Sequence, residues 1–265
     1  MRSITLLAAL LCCVLATEPA AEPATGTGGG GTDLTLSIKP EFTSGDYGTG
    51  TRTRVWETPL ELKFQHKGHG IGLRIPYVLE SGKQPVVPGI GPVGDAFDQS
   101  FQRKGIGNVR LSAWTRFWED EDTGATLGAT VKVTPPAIRA LQPMGVDFTR
   151  IGLELNASVP LPENLLLDVS LGRRFIIGAP GYGLNDYWFG SFDLSYDLTS
   201  RVTVGMTLDV QTRSSSSGTP VLEIGPWVEY DLADGWRIGA YIFRGFTRDS
   251  AAFGGGFTLS RRFGI

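Results

Sequence analysis

From Asp33 to its end, the chain is written in segments of about ten to thirteen residues in which apolar and polar side chains strictly alternate. A period of two puts one set of side chains on each face of a β-strand. The first segment sets Leu34, Leu36 and Ile38 against Thr35, Ser37 and Lys39. The second sets Leu60, Leu62 and Phe64 against Glu61, Lys63 and Gln65, and the last carries Phe253, Phe257, Leu259 and Phe263 on one face. Twelve such segments follow one another, and the connections between them alternate in length. Long ones lie near 42–54, 80–104, 135–147, 177–186, 212–219 and 245–251. Short ones lie at Lys67-Gly68, 119–123, Pro160 to Asn164, Thr199-Ser200 and Ala233 to Gly235. A soluble β-sandwich buries its apolar faces against each other and has no reason to alternate loop length. A membrane barrel does, because its periplasmic turns are short and its outer loops long. The pattern predicts an all-β chain: a transmembrane antiparallel β-barrel of 12 strands, with long extracellular loops, short periplasmic turns and both termini in the periplasm.

The start of the chain agrees. Arg2 precedes an uncharged run from Ile4 to Ala16, too short to span a bilayer as a helix, and Val14-Leu15-Ala16 supplies a cleavage site. Residues 1–16 are read as a signal peptide, 17–32 as a disordered Pro- and Gly-rich leader, and 33–265 as the barrel. Cys12 and Cys13 are the only cysteines, so the mature chain carries no thiol. The expected location is the outer membrane of a Gram-negative bacterium, reached by secretion through the inner membrane. Two bands of outward aromatics fit the two interfaces: Trp56, Tyr77, Phe175 and Trp188 near the loops, and Phe64, Phe117, Tyr196, Tyr230, Trp236 and Phe263 near the turns. Expected partners are outer-membrane lipids, lipopolysaccharide and the outer-membrane assembly machinery. Phe263 and Ile265 share the outward parity at the C-terminal end, where an aromatic last residue is usual. A formal net charge of −3 offers no nucleic-acid surface.

If the apolar set meets lipid, the other set lines the lumen. Its charges separate by strand. Arg74, Arg110, Arg116 and Lys132 on the third to fifth strands form a basic wall, read with no acid among them. Asp193, Asp197, Asp209, Glu223, Glu229 and Asp231 on the eighth to tenth form an acidic one, read with no base. Five or six strands apart in a ring of twelve means facing walls. Twelve tilted strands give a backbone radius of roughly 12 Å. Inward glycines such as Gly72, Gly128 and Gly205 favour an open passage, whereas opposed charges alone would also suit a sealed core. Trp114 and Trp227 point inward as possible aromatic contacts. Outward Arg173 and Arg244, near the loop rim, suit lipid phosphates or simple snorkelling. The connection 80–104 carries Val86, Val87, Ile90, Val93 and Phe97, apolar enough to fold into the mouth as a lid.

No catalytic constellation emerges. His66 and His69 flank the first short turn without a nucleophile or further metal ligands, so neither a hydrolase nor a zinc site is expected. Glu119-Asp120-Glu121-Asp122 reads as a solvated turn, and the glycines at 28–31 lack the strand-turn-helix setting of a phosphate loop. No cofactor is expected. The reading is a non-enzymatic channel for passive passage of small-molecule solutes. An outer-membrane lipid-modifying enzyme and a closed structural barrel are the alternatives.

Three short stretches carry a resemblance: Ile75-Pro76-Tyr77, Gly105-Ile106-Gly107-Asn108 and Val131-Lys132-Val133-Thr134-Pro135. With them the region 70–136 resembles the outer-membrane β-barrel transporter family of the phenol meta-cleavage degradation pathway. That family is expected to show Gly-x-Gly-Asp and Lys-x-Pro-Thr-Gly at the last two places. Here Asn108 replaces the acid and the order after Lys132 differs. The resemblance implies a barrel that passes small aromatic or hydrophobic compounds.

Overall fold

The computed structural model describes residues 31–87, 90–92 and 99–265. Residues 1–16, expected to be a signal peptide, and all but the last two residues of the expected leader lie outside them. Twelve strands follow in order: β1 (Thr32–Ile38, continued by Glu41–Gly45), β2 (Thr53–His66), β3 (His69–Gly82), β4 (Phe101–Ile106, continued by Arg110–Glu119), β5 (Thr126–Thr134), β6 (Thr149–Leu161), β7 (Leu165–Ile177), β8 (Tyr187–Asp197), β9 (Val202–Gln211), β10 (Val221–Asp231), β11 (Trp236–Gly245) and β12 (Phe253–Gly264). Each strand pairs antiparallel with its neighbour in sequence, and β1 pairs with β12, Leu34 opposite Phe263. The ring is closed, which leaves no strand edge with unpaired backbone groups, as a bilayer demands. Among the described residues the only helical element is the 3-10 turn Ala233–Gly235.

The alternation sorts the faces as the sequence requires. Leu60, Ile71, Leu111, Phe117, Leu155 and Phe257 stand exposed on the outside, Ile71 at 61% and Phe257 at 65%. In water so continuous an apolar surface would drive association; in a bilayer it is the favourable face. Register carries this face obliquely round the barrel. Leu34, Phe64, Ile71, Ala113, Val131 and Leu153 are successive cross-strand partners, and the next are Arg173 and Trp188. The row starts beside the periplasmic turns and ends at the loop rim, because closing a tilted barrel staggers its strands.

Two strands are longer than their periodicity suggests. Pro40 has no N–H and interrupts β1, yet the strand resumes at Glu41 and pairs with both β2 and β12. The first long connection is therefore 46–52, not 42–54. β4 likewise begins at Phe101, inside the span read as connection, and breaks only at 107–109. Near its periplasmic end, a register shift between Arg116 and Trp118 turns Phe117 and Trp118 both outward, 59% and 47% exposed.

Apolar side chains that are buried gather at the loop end. Val86 packs with Tyr47, Val55 and Ala251, and Ile90 with Val146 and Phe148. Val86–Val87 and Gly91–Pro92 form a small hairpin over the barrel mouth. Val93 and Phe97 lie outside the described residues.

Candidate functional site

Side chains from all twelve strands line a cavity of about 520 Å³. It runs from Gln65, Gly68 and Thr126 beside the periplasmic turns to Val86, Arg103 and Met144 under the loops. Arg74, Arg110, Arg116 and Lys132 line it, as do Asp193, Asp209 and Glu229 from the other side of the ring. Glu223 lies at the loop end, where its carboxylate accepts the Ala251 N–H at 2.9 Å. Asp197 and Asp231 lie at the periplasmic end; Asp197 accepts from Thr203 Oγ1 at 2.6 Å, and Asp231 pairs with Arg237 at 2.5 Å.

Cross-strand pairing adds charges that strand-by-strand reading of the two walls did not include. Arg74 spans two carboxylates of β2, Glu57 at 2.5 Å and Glu61 at 2.7 Å, and Lys39 reaches Glu61 at 3.3 Å. Lys132 pairs with Glu154 on β6 at 2.8 Å, and Arg116 with Glu119 at 3.3 Å. Arg237 on β11 serves Glu229 at 3.1 Å as well as Asp231. Glu80 also faces inward from β3, buried, and pairs with Arg103 at 2.6 Å. The signal for these partners was available: inward parity plus a hairpin register places Glu61 opposite Arg74 and Glu154 one row from Lys132.

The inward tryptophans lie flat against the wall where glycine makes room. A Cβ on Gly70 would sit 2.2 Å from the Trp114 ring, and one on Gly205 2.3 Å from the Trp227 ring. Trp227 Nε1 donates to Asp193 at 2.8 Å. Gly205→Val is expected to push the Trp227 ring into the lumen and break that bond. Single-channel conductance should fall by roughly half or more while the barrel still folds, since the strand pairing is untouched. Unchanged conductance with a displaced Trp227 fluorescence would show that the ring is not at a narrow point.

The three sequence stretches that carry the family resemblance meet at one place in the wall. Gly107 N–H donates to Pro76 at 2.9 Å, and Tyr77 pairs with Ile106. Asn108 Nδ2 donates to the Pro135 carbonyl at 3.0 Å and to the Val146 carbonyl at 2.9 Å, while its Oδ1 accepts the Val146 N–H at 2.7 Å. An amide both donates and accepts, so it ties the break in β4 to the connection 135–148; a carboxylate at 108 would only accept. Outside the barrel, Arg173 lies over the rings of Phe175 and Trp188 at 5.1 and 5.7 Å, and Arg244 over Phe246 at 5.9 Å, which places both cations at the loop-side aromatic band. Above the mouth, Asp147 accepts from Tyr182 and Arg139, and these bonds, the tyrosine's first, hold its carboxyl below the usual range. Among the described residues no three metal-ligating side chains come together, and His66 and His69 bond Thr32 and Thr115, both at 2.7 Å.

No protein-family model matches the chain, and no curated protein matches it in sequence. Solved structures do match in fold. An outer membrane channel from Pseudomonas putida F1 superimposes with a TM-score of 0.69 at 14% identity, over 92% of this chain and 100% of that one. The KdgM porin in complex with oligogalacturonate gives 0.54 at 7% identity, over 87% and 99%. The translocator domain of the autotransporter NalP from Neisseria meningitidis gives 0.53 at 12% identity, over 90% of each. The chain has the closed barrel fold of outer-membrane channels and porins.

Proposed function

We propose that this chain is an outer-membrane channel through which small solutes pass passively. The observation that carries the reading is the cavity, lined by charged and apolar side chains from the periplasmic turns to the loop hairpin. A sealed structural core would have no use for such a space, and polar barrel interiors commonly hold water. Fold likeness to channels and porins supports the same reading. The solutes are small aromatic or hydrophobic compounds, a choice supported by the family resemblance and by Trp114, Trp227 and the apolar Val86–Val87 hairpin along the lining. No reaction is assigned, and the chain reaches the outer membrane by way of its signal peptide.

The test is conductance in planar bilayers, followed by uptake of aromatic acids into proteoliposomes. Discrete, steady steps support the channel; silence from protein with heat-modifiable gel mobility supports the closed barrel, which the hairpin over the mouth would explain. Arg110 and Arg116 both line the cavity, so Arg110→Ala with Arg116→Ala is expected to shift the reversal potential in a salt gradient toward cations. An unshifted potential would remove these two arginines from the selectivity-determining surface.

A further inference from the structure

One patch of the lumen wall is built from groups that oppose one another unless something positive joins them. Asp168 on β7 stands directly across from Asp193 on β8, and two residues along, Ser170 stands across from Ser191. The four side chains share the inward face and form a square, with Cβ atoms of opposed residues about 5 Å apart. All are nine-tenths buried or more, Asp193 at 2% exposure. Three of their oxygens make no hydrogen bond, Oδ1 of Asp193 and the hydroxyls of Ser170 and Ser191, and the group facing Asp168 from β6 is the hydroxyl of Ser158. Asp193 Oδ2 is already taken by Trp227 and by Thr207. Among the described residues neither aspartate forms an ion pair, in contrast to Glu61, Glu154 and Glu229, each of which pairs with a lysine or arginine.

Like charges directly opposite on a sheet destabilise it, and a buried acceptor without a donor costs free energy of its own. Both penalties fall together if a cation sits among these oxygens. Ser170, Ser191 and Asp193 line the cavity, so the square opens to whatever the lumen holds. Its donor set decides the type of cation. Two carboxylates and two hydroxyls suit a singly charged, oxygen-seeking ion or the three N–H donors of a primary ammonium group. They lack the nitrogen or sulfur ligands that transition metals select, and among the described residues no third carboxylate or histidine joins the two aspartates as a divalent-metal site would ask.

We propose that Asp168, Ser170, Ser191 and Asp193 form a binding site for a monovalent cation, an alkali ion or the primary ammonium group of a solute, on the β7–β8 wall. The proposal deepens the channel reading by giving the passage a cation-binding station. Its test does not require the passage to be open. Protein extracted from outer membranes in detergent is titrated with sodium chloride and followed by sodium NMR. A saturable broadening of the sodium resonance is expected, displaced by potassium or methylammonium chloride and weakened roughly tenfold or more in Asp168→Asn with Asp193→Asn. That variant removes the repulsion while keeping size, so it is expected to fold, with heat-modifiable mobility as the check. Displacement by methylammonium at lower concentration than by potassium identifies an ammonium site; the reverse order identifies an alkali-ion site. Equal broadening in wild type and variant, or none in folded wild type, overturns the proposal, and leaves the two aspartates sharing a proton. Saturable binding with no bilayer conductance would keep the site and refute the channel, so the two readings fail separately.

Discussion

Deleting residues 84–98 is expected to raise single-channel conductance several-fold. The segment begins where Glu80 ends its inward row, and it is fastened at successive points. Glu80 accepts the Val86 N–H at 2.6 Å, Thr53 Oγ1 donates to the Gln84 carbonyl at 3.2 Å, and Ser214 Oγ donates to the Ile90 carbonyl at 2.7 Å. Its apolar side chains then cover the loop end of the cavity, Val86 against Tyr47 and Val55, Ile90 against Val146 and Phe148. Burying an aliphatic side chain of this size contributes about 1.5–3 kcal/mol, enough to keep the hairpin seated most of the time. The deletion removes cover and fastening together and leaves the twelve strands whole. Glu80→Ala should have a milder effect, more frequent brief openings, because it frees the Val86 N–H but keeps the apolar packing. Planar-bilayer recordings of wild type and both variants settle the matter. Unaltered conductance in the deletion would place the narrowest point deeper, among the charged residues of the lumen.

The barrel itself was legible because a membrane imposes a rule with no local exceptions. Every backbone group must be paired within the ring, so each segment keeps the two-residue period, and closing a ring of wholly antiparallel neighbours makes the strand number even. Legibility failed where one residue breaks the ladder without ending the strand. Pro40 looks like a terminator, but β12 on one side and β2 on the other hold Glu41–Gly45 in the sheet. Gly107 and Asn108 interrupt β4, and what keeps the strand in line is a side chain, Asn108, bonding backbone 38 residues away at Val146. No periodicity reports such a contact.

The lumen was legible by parity and obscure by partnership. Arg74, Arg110, Arg116, Lys132, Asp193, Asp209 and Glu229 face the cavity, as alternation requires. Which of them carry net field is a matter of register, and register depends on shear, which the sequence does not display. Lys132 is matched by Glu154 on the next strand, whereas Asp168 and Asp193 meet each other. Two acidic residues on adjacent strands read alike in sequence whether they oppose an arginine or a second carboxylate.

Arg74→Ala is expected to cost the barrel roughly 2–4 kcal/mol of stability, the largest loss from any single lumen charge. Arg74 stands inward from β3 over a wall of carboxylates. Glu57 and Glu61 each accept from one arm of its guanidinium, and Glu41 stands directly opposite Glu57 on β1, held by the Tyr241 hydroxyl. Glu61 is only 4% exposed, so water replaces little of what the arginine supplies, and Lys39 reaches this carboxylate at 3.3 Å. Arg74→Lys should recover part of the loss, since it restores charge but not a fork able to serve two carboxylates at once. The decisive comparison is Arg74→Met with Glu57→Gln and Glu61→Gln, which removes the cation together with the charges it answers. If the loss arises from stranded carboxylates, the triple variant should unfold in urea close to wild type, while Arg74→Ala unfolds well below it. A triple variant as unstable as Arg74→Ala would mean that Arg74 acts by filling space between β2 and β3, and the carboxylates of this wall would then be free to serve the passing solute.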